Sequence, residues 1–192
     1  MSQQIRIRPT QPEDMDQVEA LWMGVGPYRP EDEVAVEEMY ERARRARLFA
    51  GSWWMDQERS EETADKPLTG WVAVVPSGTG SYRVVGIVEV VGGAPVVEMP
   101  AAMPLAQEWG KRTDIATLTR LSVDPEFWRR GLGFSLIQTA ADWCREQGHG
   151  ILVLNTTSPQ LPAMSLYLKA GVREVGLSYL GRYELVWFEL AL

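Results

Sequence analysis

Two adjacent guanidinium groups, Arg129 and Arg130, stand directly before Gly131-Leu132-Gly133, and the run that opens with Phe134-Ser135-Leu136-Ile137 is amphipathic. Upstream lie an alternating apolar segment from position 118 and the turn-forming pair Asp124-Pro125. The order reads as strand, turn and helix start. A helix N-terminus leaves its first N–H groups without carbonyl partners and carries the positive end of the helix dipole, so two arginines beside it make a seat for a phosphate or a diphosphate. Glycine at 131 and 133 lets an anion reach the backbone donors. The same two glycines also permit a tight strand-to-helix corner with no ligand at all.

Single residues exclude two other phosphate-binding loops. A Walker loop ends in Gly-Lys-Ser/Thr, whereas Gly133 is followed by Phe134-Ser135. A dinucleotide fingerprint needs a third small residue at 136, where Leu136 stands, and no acidic ribose partner follows at the required distance.

Residues 115–190 resemble the GCN5-related N-acetyltransferase (GNAT) superfamily. Trp128-Arg129-Arg130-Gly131-Leu132-Gly133 matches the family's Gln/Arg-x-x-Gly-x-Gly/Ala signature except at its first position, so Arg129 or Arg130 must supply the charge. Downstream, the run from Gln160 through Ala163, Tyr167 and Gly171 to Val172 matches Asn-x-x-Ala-x-x-x-Tyr-x-x-x-Gly-Phe, with Gln160 for Asn and Val172 for Phe. Ile5-Arg6-Ile7-Arg8-Pro9 and Pro12-Glu13-Asp14 resemble the family's opening.

The resemblance implies acetyl-CoA as cosubstrate, its pantetheine arm beside Leu121, Ser122 and Val123 where strands four and five splay apart. It places the diphosphate on Arg129, Arg130, Gly131, Leu132 and Gly133, with help from Phe134 and Ser135, and Gln160 also against the cofactor. Tyr167 matches the tyrosine that faces the thioester sulfur. A phenol of pKa about 10 can hydrogen-bond a thiolate whose conjugate acid lies near about 8.5. Read without the resemblance, Tyr167 between Leu166 and Leu168 is a packed aromatic on an amphipathic helix.

The implied reaction moves an acetyl group to a primary amine of a small molecule or peptide. Acetyl transfer also needs an unprotonated amine. Many family members place a glutamate on strand four, where this chain has Thr117. Glu89 on strand three and Asp114 before strand four are the nearest carboxylate candidates for the base, directly or through water, and charged residues on strands can equally be solvent-facing or structural. The missing glutamate keeps open a different class of function, a non-catalytic acyl-CoA-binding module. A dinucleotide-dependent oxidoreductase is disfavoured by Leu136. His149, the only histidine, sits between glycines and reads as a turn residue; Cys144 lies on a buried helix stripe and reads as packing. Trp53, Trp54 and Trp109 lie in segments expected to border the acceptor.

These groups need a scaffold, and the chain is long enough to supply one. Its 192 residues, 45% of them apolar, predict a single domain over 1–192. A net charge of −7 disfavours nucleic acid and anionic membrane as partners. One cysteine and one histidine leave no disulfide and no Cys/His metal site, so no metal is expected. Without a signal-like or membrane-spanning apolar stretch, the chain reads as cytoplasmic. The resemblance leaves room for a homodimer.

Alternation predicts a first strand ending at Pro9, then a helix from Pro12 that buries Val18, Leu21 and Trp22. A helix over 33–47, with Arg42, Arg44, Arg45 and Arg47 as a solvated face, a strand over 48–55 and an exposed acidic loop over 56–66 follow. Strands over 71–75 and 84–91 pair around a turn at 76–80. Residues 92–113 form a long proline-bearing loop with a short helix at 105–109, expected to be a flap on the substrate side. Strand four covers 115–123 and the next helix 132–147. Strand five begins at 151, a helix surrounds 163–170, and strands near 172–176 and 183–190 finish the chain. The fold class is mixed α/β: a mostly antiparallel sheet of six to seven strands flanked by about four helices, with the splay between strands four and five implied by the resemblance.

Overall fold

The structure, a computed structural model, describes residues 4–25, 68–78, 80–94, 104–158, 160–180 and 183–192. The helix expected over 33–47, the strand over 48–55, the acidic loop and both Trp53 and Trp54 lie outside the described residues.

Alternating Ile and Arg make β1 (Arg6–Pro9), which pairs antiparallel with β2 (Leu68–Pro76). Between them in sequence, a single turn at Pro12–Asp14 leads into α1 (Met15–Val25). Asp14 locks this corner. Its buried carboxylate accepts two hydrogen bonds from Arg8, at 2.6 and 2.8 Å, one from the Gln11 N–H and one from the Tyr82 hydroxyl. Burial alone pushes the Asp14 carboxyl up, but these donors and the Arg8 charge outweigh it and hold it below the ordinary carboxylate range.

Strand β3 (Tyr82–Gly92) follows, then the short α2 (Pro104–Trp109), β4 (Ile115–Val123) and α3 (Leu132–Glu146). The chain closes with β5 (Ile151–Thr157), α4 (Leu161–Lys169), β6 (Arg173–Leu180) and β7 (Tyr183–Ala191). These strands form one seven-stranded sheet in the order β1-β2-β3-β4-β5-β7-β6, antiparallel throughout except between β4 and β5. Strand β5 runs past the expected apolar stretch because Asn155, Thr156 and Thr157 find cross-strand partners in Trp187, Val186 and Leu185.

The two faces of the sheet bury different sets. One face, with Ala73, Val88, Val90, Leu118, Leu152 and Phe188, packs under α3 and α4. The other carries Val72, Val74 and Ile87 under α1, and Ile115, Val153 and Trp187 around Trp109 of α2. Among the described residues, no helix is long and apolar enough to cross a membrane.

The parallel pair determines where a ligand can enter. Ile115, Ala116 and Thr117 are in register with Ile151, Leu152 and Val153, and there the pairing stops. Beyond it, β4 continues to Val123 beside β3 and β5 continues to Thr157 beside β7, so two strand edges carry backbone donors and acceptors that no other strand uses among the described residues.

Candidate active site

The chain leaves the open end of β4 through Asp124, whose side chain caps the turn Pro125–Phe127 by accepting from the Glu126 N–H at 2.9 Å. Two acids beside an anion seat would oppose it. Arg83 offsets them, pairing with Asp124 at 2.7 Å and Glu126 at 2.6 Å. The buried ring of Phe127 lies 5.6 Å from the Arg83 guanidinium carbon and 5.0 Å from that of Arg130, which fixes the second arginine of the seat by a cation–π contact.

Arg129 and Gly131 both have left-handed backbone, at φ 60° and 79°. Alternating handedness along three residues turns successive N–H groups to one side and makes a concave anion site. The first hydrogen bond of α3 runs from the Ser135 N–H to the Gly131 carbonyl, so the N–H groups of Leu132, Gly133 and Phe134 have no helical acceptor. This corner therefore gathers backbone donors that the helix itself leaves without acceptors.

The two glycines of this corner differ in what requires them. At Gly131 an added Cβ would meet open space, and the positive φ is what favours glycine. At Gly133 a Cβ would come within 2.8 Å of Leu166 Cδ2 and 3.8 Å of Val123 Cγ2. Gly133 is thus where the end of β4, the start of α3 and the helix α4 converge, and its small size serves their packing.

One residue after Leu166, Tyr167 is 5% exposed, with its ring edge-on to Phe188 at 5.4 Å. Its hydroxyl has no hydrogen-bond partner among the described residues, and burial raises its pKa, so the phenol stays protonated at neutral pH. Gln160 stands at the N-terminus of the same helix, with its Nε2 donating to Thr157 Oγ1 at 3.2 Å.

Of the β4 residues expected beside the cofactor arm, Ser122 is buried in register with Ile87. Leu121 and Val123 lie on the stretch that has no partner toward β5. The Asp124 N–H donates to Val85, so by strand alternation Val123 turns its polar groups toward the gap. Its carbonyl is already engaged. Trp128, 51% exposed, donates its indole N–H to Val123 O at 2.6 Å, so an arm pairing here is left the Val123 N–H. That bond also shows what replaced the usual polar first residue of the motif: an aromatic that closes the strand end.

The carboxylates separate clearly. Glu89 is 4% exposed on the α1 face, paired with Arg120 of β4, and burial raises its pKa against the opposing pull of that arginine. Asp114 is partly exposed, ion-paired with Arg112 at 2.7 Å, and lies against Gly150 at the closed end of the β4–β5 pair. Thr117 is buried and donates its hydroxyl to Gly93 O at 2.9 Å, so it is committed to the end of β3. His149 packs 6.0 Å from Trp143 at the closed end, and burial pushes the Cys144 thiol up to about 12, far from nucleophilic range.

Trp109 requires a correction. It was expected to border the acceptor, yet it is buried edge-to-face against Trp187 at 5.6 Å within the apolar cluster of Ile115, Ile151 and Val153. A large apolar ring at the end of a short helix gains more from that cluster than from an open pocket.

Sequence comparison decides what this arrangement belongs to. The sequence model described as the Acetyltransferase (GNAT) family matches residues 33–172. The chain belongs to the GNAT acetyltransferase family. It is similar to N-acetyltransferase 8 of Homo sapiens, 28% identical over 132 residues that cover 69% of this chain and 58% of that protein, so it spans less than two thirds of this relative's length. Among solved structures, Arabidopsis thaliana NAA60 in complex with acetyl-CoA aligns with a TM-score of 0.66 at 17% identity, over 98% of this chain and 99% of that one. The ribosomal-protein-S18-alanine N-acetyltransferase from Escherichia coli aligns with a TM-score of 0.59 at 14% identity, over 98% and 94%. Both share the fold.

Acetyl-CoA, the GNAT cosubstrate, fits the residues present on three observations. The alternating backbone at 129–131 offers N–H groups to a diphosphate, the separated strand edges offer backbone to an amide-bearing arm, and the buried Tyr167 hydroxyl lacks a partner among the described residues.

Sequence reasoning missed Arg120. Its signal was present: apolar residues at 116 and 118 shift by one to 121 and 123, which is the signature of an inserted residue in a strand.

Proposed function

We propose that this chain moves an acetyl group from acetyl-CoA to a primary amine of a small molecule or a peptide. The reading is supported by the corner at Gly133, where the open edge of β4 at Val123, the exposed helix start after Arg129–Gly131 and Leu166, the neighbour of the buried Tyr167, come together. When bound, acetyl-CoA supplies the acetyl thioester and leaves as the thiol.

Each chain residue then has a definable task. N–H groups from Arg129 to Phe134, with the two guanidiniums, hold the diphosphate, and Ser135 closes the first turn beneath them. Leu121 and the Val123 N–H orient the arm along β4. Tyr167 donates its O–H toward the departing sulfur, a role that its raised pKa suits because a hydrogen bond suffices without full proton loss. Glu89 accepts one proton from the acceptor's ammonium nitrogen and returns it to solvent, freeing the lone pair that forms the N–C bond as the C–S bond breaks; the second proton, lost from the newly acylated nitrogen, passes to the departing thiolate, so CoA leaves as the thiol. The same proposal treats 1–192 as one acetyltransferase domain in the cytoplasm, with its lone cysteine buried and reduced, acting without nucleic acid or membrane and able to form a homodimer.

Two measurements test the reading. Acetyl-CoA at a hundredfold excess over its Kd should stabilise the fold by about 2.7 kcal/mol in a thermal or chemical melt. CoA release should then accelerate when members of an amine panel are added. Stabilisation without amine-dependent release would instead establish an acyl-CoA-binding module, and stabilisation by NAD but not by CoA would overturn both.

A further inference from the structure

The geometry points to Arg120 as a positioning residue for acetyl transfer: a bulge in β4 delivers its guanidinium to the Glu89 carboxylate and holds that carboxylate where the acceptor's proton is received. The inference rests on the reading of Glu89 as the base.

The bulge is explicit in the register. Glu89 lies opposite Thr119 and Ile87 opposite Ser122, so two steps along β3 match three along β4. One consequence is a change of face. Ala116 and Leu118 point to the α3 side, as do Leu121 and Val123, and Arg120, which strict alternation would send to the same side, instead reaches Glu89 on the α1 side. The cost is local strain, because Arg120 has φ 48° in the middle of a strand, a conformation disfavoured for a residue with a Cβ by about 1–2 kcal/mol. Glycine would adopt it freely. An arginine kept there points to use of the side chain.

Glu89 is confined from both neighbouring strands. Across β2 its partner is Gly70, where a Cβ would approach Glu89 Cγ to 3.2 Å, and across β4 stand Thr119 and the guanidinium. The pair adjoins the stretch of β4 whose other edge is unpaired, one strand from the gap that receives the cofactor arm. A buried ion pair is weak evidence for stability, since apolar residues of similar volume often serve as well. Placed beside an open strand edge, it is better explained by the chemistry of an ionised carboxylate.

Among the described residues, Arg120 is the charged group that acts on Glu89; Asp16 and Glu19 of α1 are exposed. Burial raises the Glu89 pKa, while the arginine's charge and hydrogen bond lower it. Removing the guanidinium leaves burial unopposed. A base works only when deprotonated, so its activity must then begin at higher pH.

The experiment is the pH profile of kcat/KM for the full chain and for R120G, R120K and E89Q, with acetyl-CoA binding followed by calorimetry. R120G is chosen because glycine accepts the φ without strain. It should bind acetyl-CoA within about twofold of wild type. The acid limb of its profile should move up by about one to three pH units, so that activity is lowest near neutrality and recovers as pH rises. R120K, which retains a positive charge, should keep the limb near its wild-type position. If R120G does not fold, Arg120→Gln reads the same limb with a side chain of similar reach. An unmoved limb together with a large loss in E89Q overturns the positioning role and leaves Glu89 as base. Full activity in E89Q overturns the base reading and this inference together, and a wild-type chain that binds acetyl-CoA but releases no CoA with amines overturns the proposed function itself.

Discussion

The two ends of the β4–β5 pair are built from adjacent stretches of the same strands and behave oppositely. At the closed end, Ile115–Thr117 and Ile151–Val153 are in register, Asp114 O accepts from the N–H groups of Gly150 and Ile151, and Trp109 stacks against Trp187. Polar groups there find partners within the chain: Arg112 with Asp114, Thr117 with Gly93. At the open end, among the described residues, the strand edges are unpaired, Arg120 and Arg129 adopt left-handed backbone, and the Tyr167 hydroxyl is buried without a partner. Unsatisfied donors and local strain each cost stability, and here they gather within a few residues of one another. The contrast teaches that polar groups are satisfied within the chain at one end, whereas the costs of strain and of unsatisfied groups are concentrated at the other, which is where the proposed function places the ligand.

Damage to the closed end should be felt as stability. Trp109→Ala removes a buried ring from a dense apolar cluster and should cost about 3–5 kcal/mol in a denaturant melt, while the acetyl-CoA Kd of the fraction that remains folded stays near wild type. If binding falls in step with stability, the two ends are not separable.

Damage to the open end should be felt as function. Arg129→Ala with Arg130→Ala should weaken acetyl-CoA binding about 10–100-fold, with reduced dependence on salt and an unchanged melting profile, because both side chains are exposed and lie outside the apolar clusters. Unaltered affinity would remove the diphosphate from this corner. Tyr167→Phe should lower kcat by about tenfold with little change in acetyl-CoA affinity, and should leave stability equal or slightly higher because it deletes a buried hydroxyl without a partner.

Much of this division was legible in the residues. The bounds of β4 and the start of α3 followed from alternation and from Asp124-Pro125, which depend on neighbours in sequence, and the helix α4 from the resemblance of the run around Tyr167 to the family's motif. The polar end of β5 was not, because Asn155-Thr156-Thr157 becomes strand only through pairing with β7. Trp109 was misassigned for a similar reason: its partner Trp187 is distant in the chain, and composition does not reveal which tryptophans meet. The link between Arg120 and Glu89 required both a register and a face, and the register is set where β3 and β4 meet.

The smallest expected effect concerns Gly133, and it sharpens the boundary between the two ends most finely. A diphosphate-binding loop and a helix-packing corner both favour a small residue there, but they predict different losses for Gly133→Ala. The methyl would meet the tip of the Leu166 side chain, which can shift by rotation, whereas alanine is the better helix former. The two terms nearly cancel, so stability should change by less than about 1 kcal/mol. If packing is what the glycine serves, acetyl-CoA affinity should change by no more than about threefold, and the effect should appear in kcat, because Leu166 immediately precedes Tyr167 on α4. Should affinity fall tenfold or more with kcat intact, the methyl is blocking the backbone donors directly, and Gly133 belongs to the anion seat instead of the joint that sets the tyrosine.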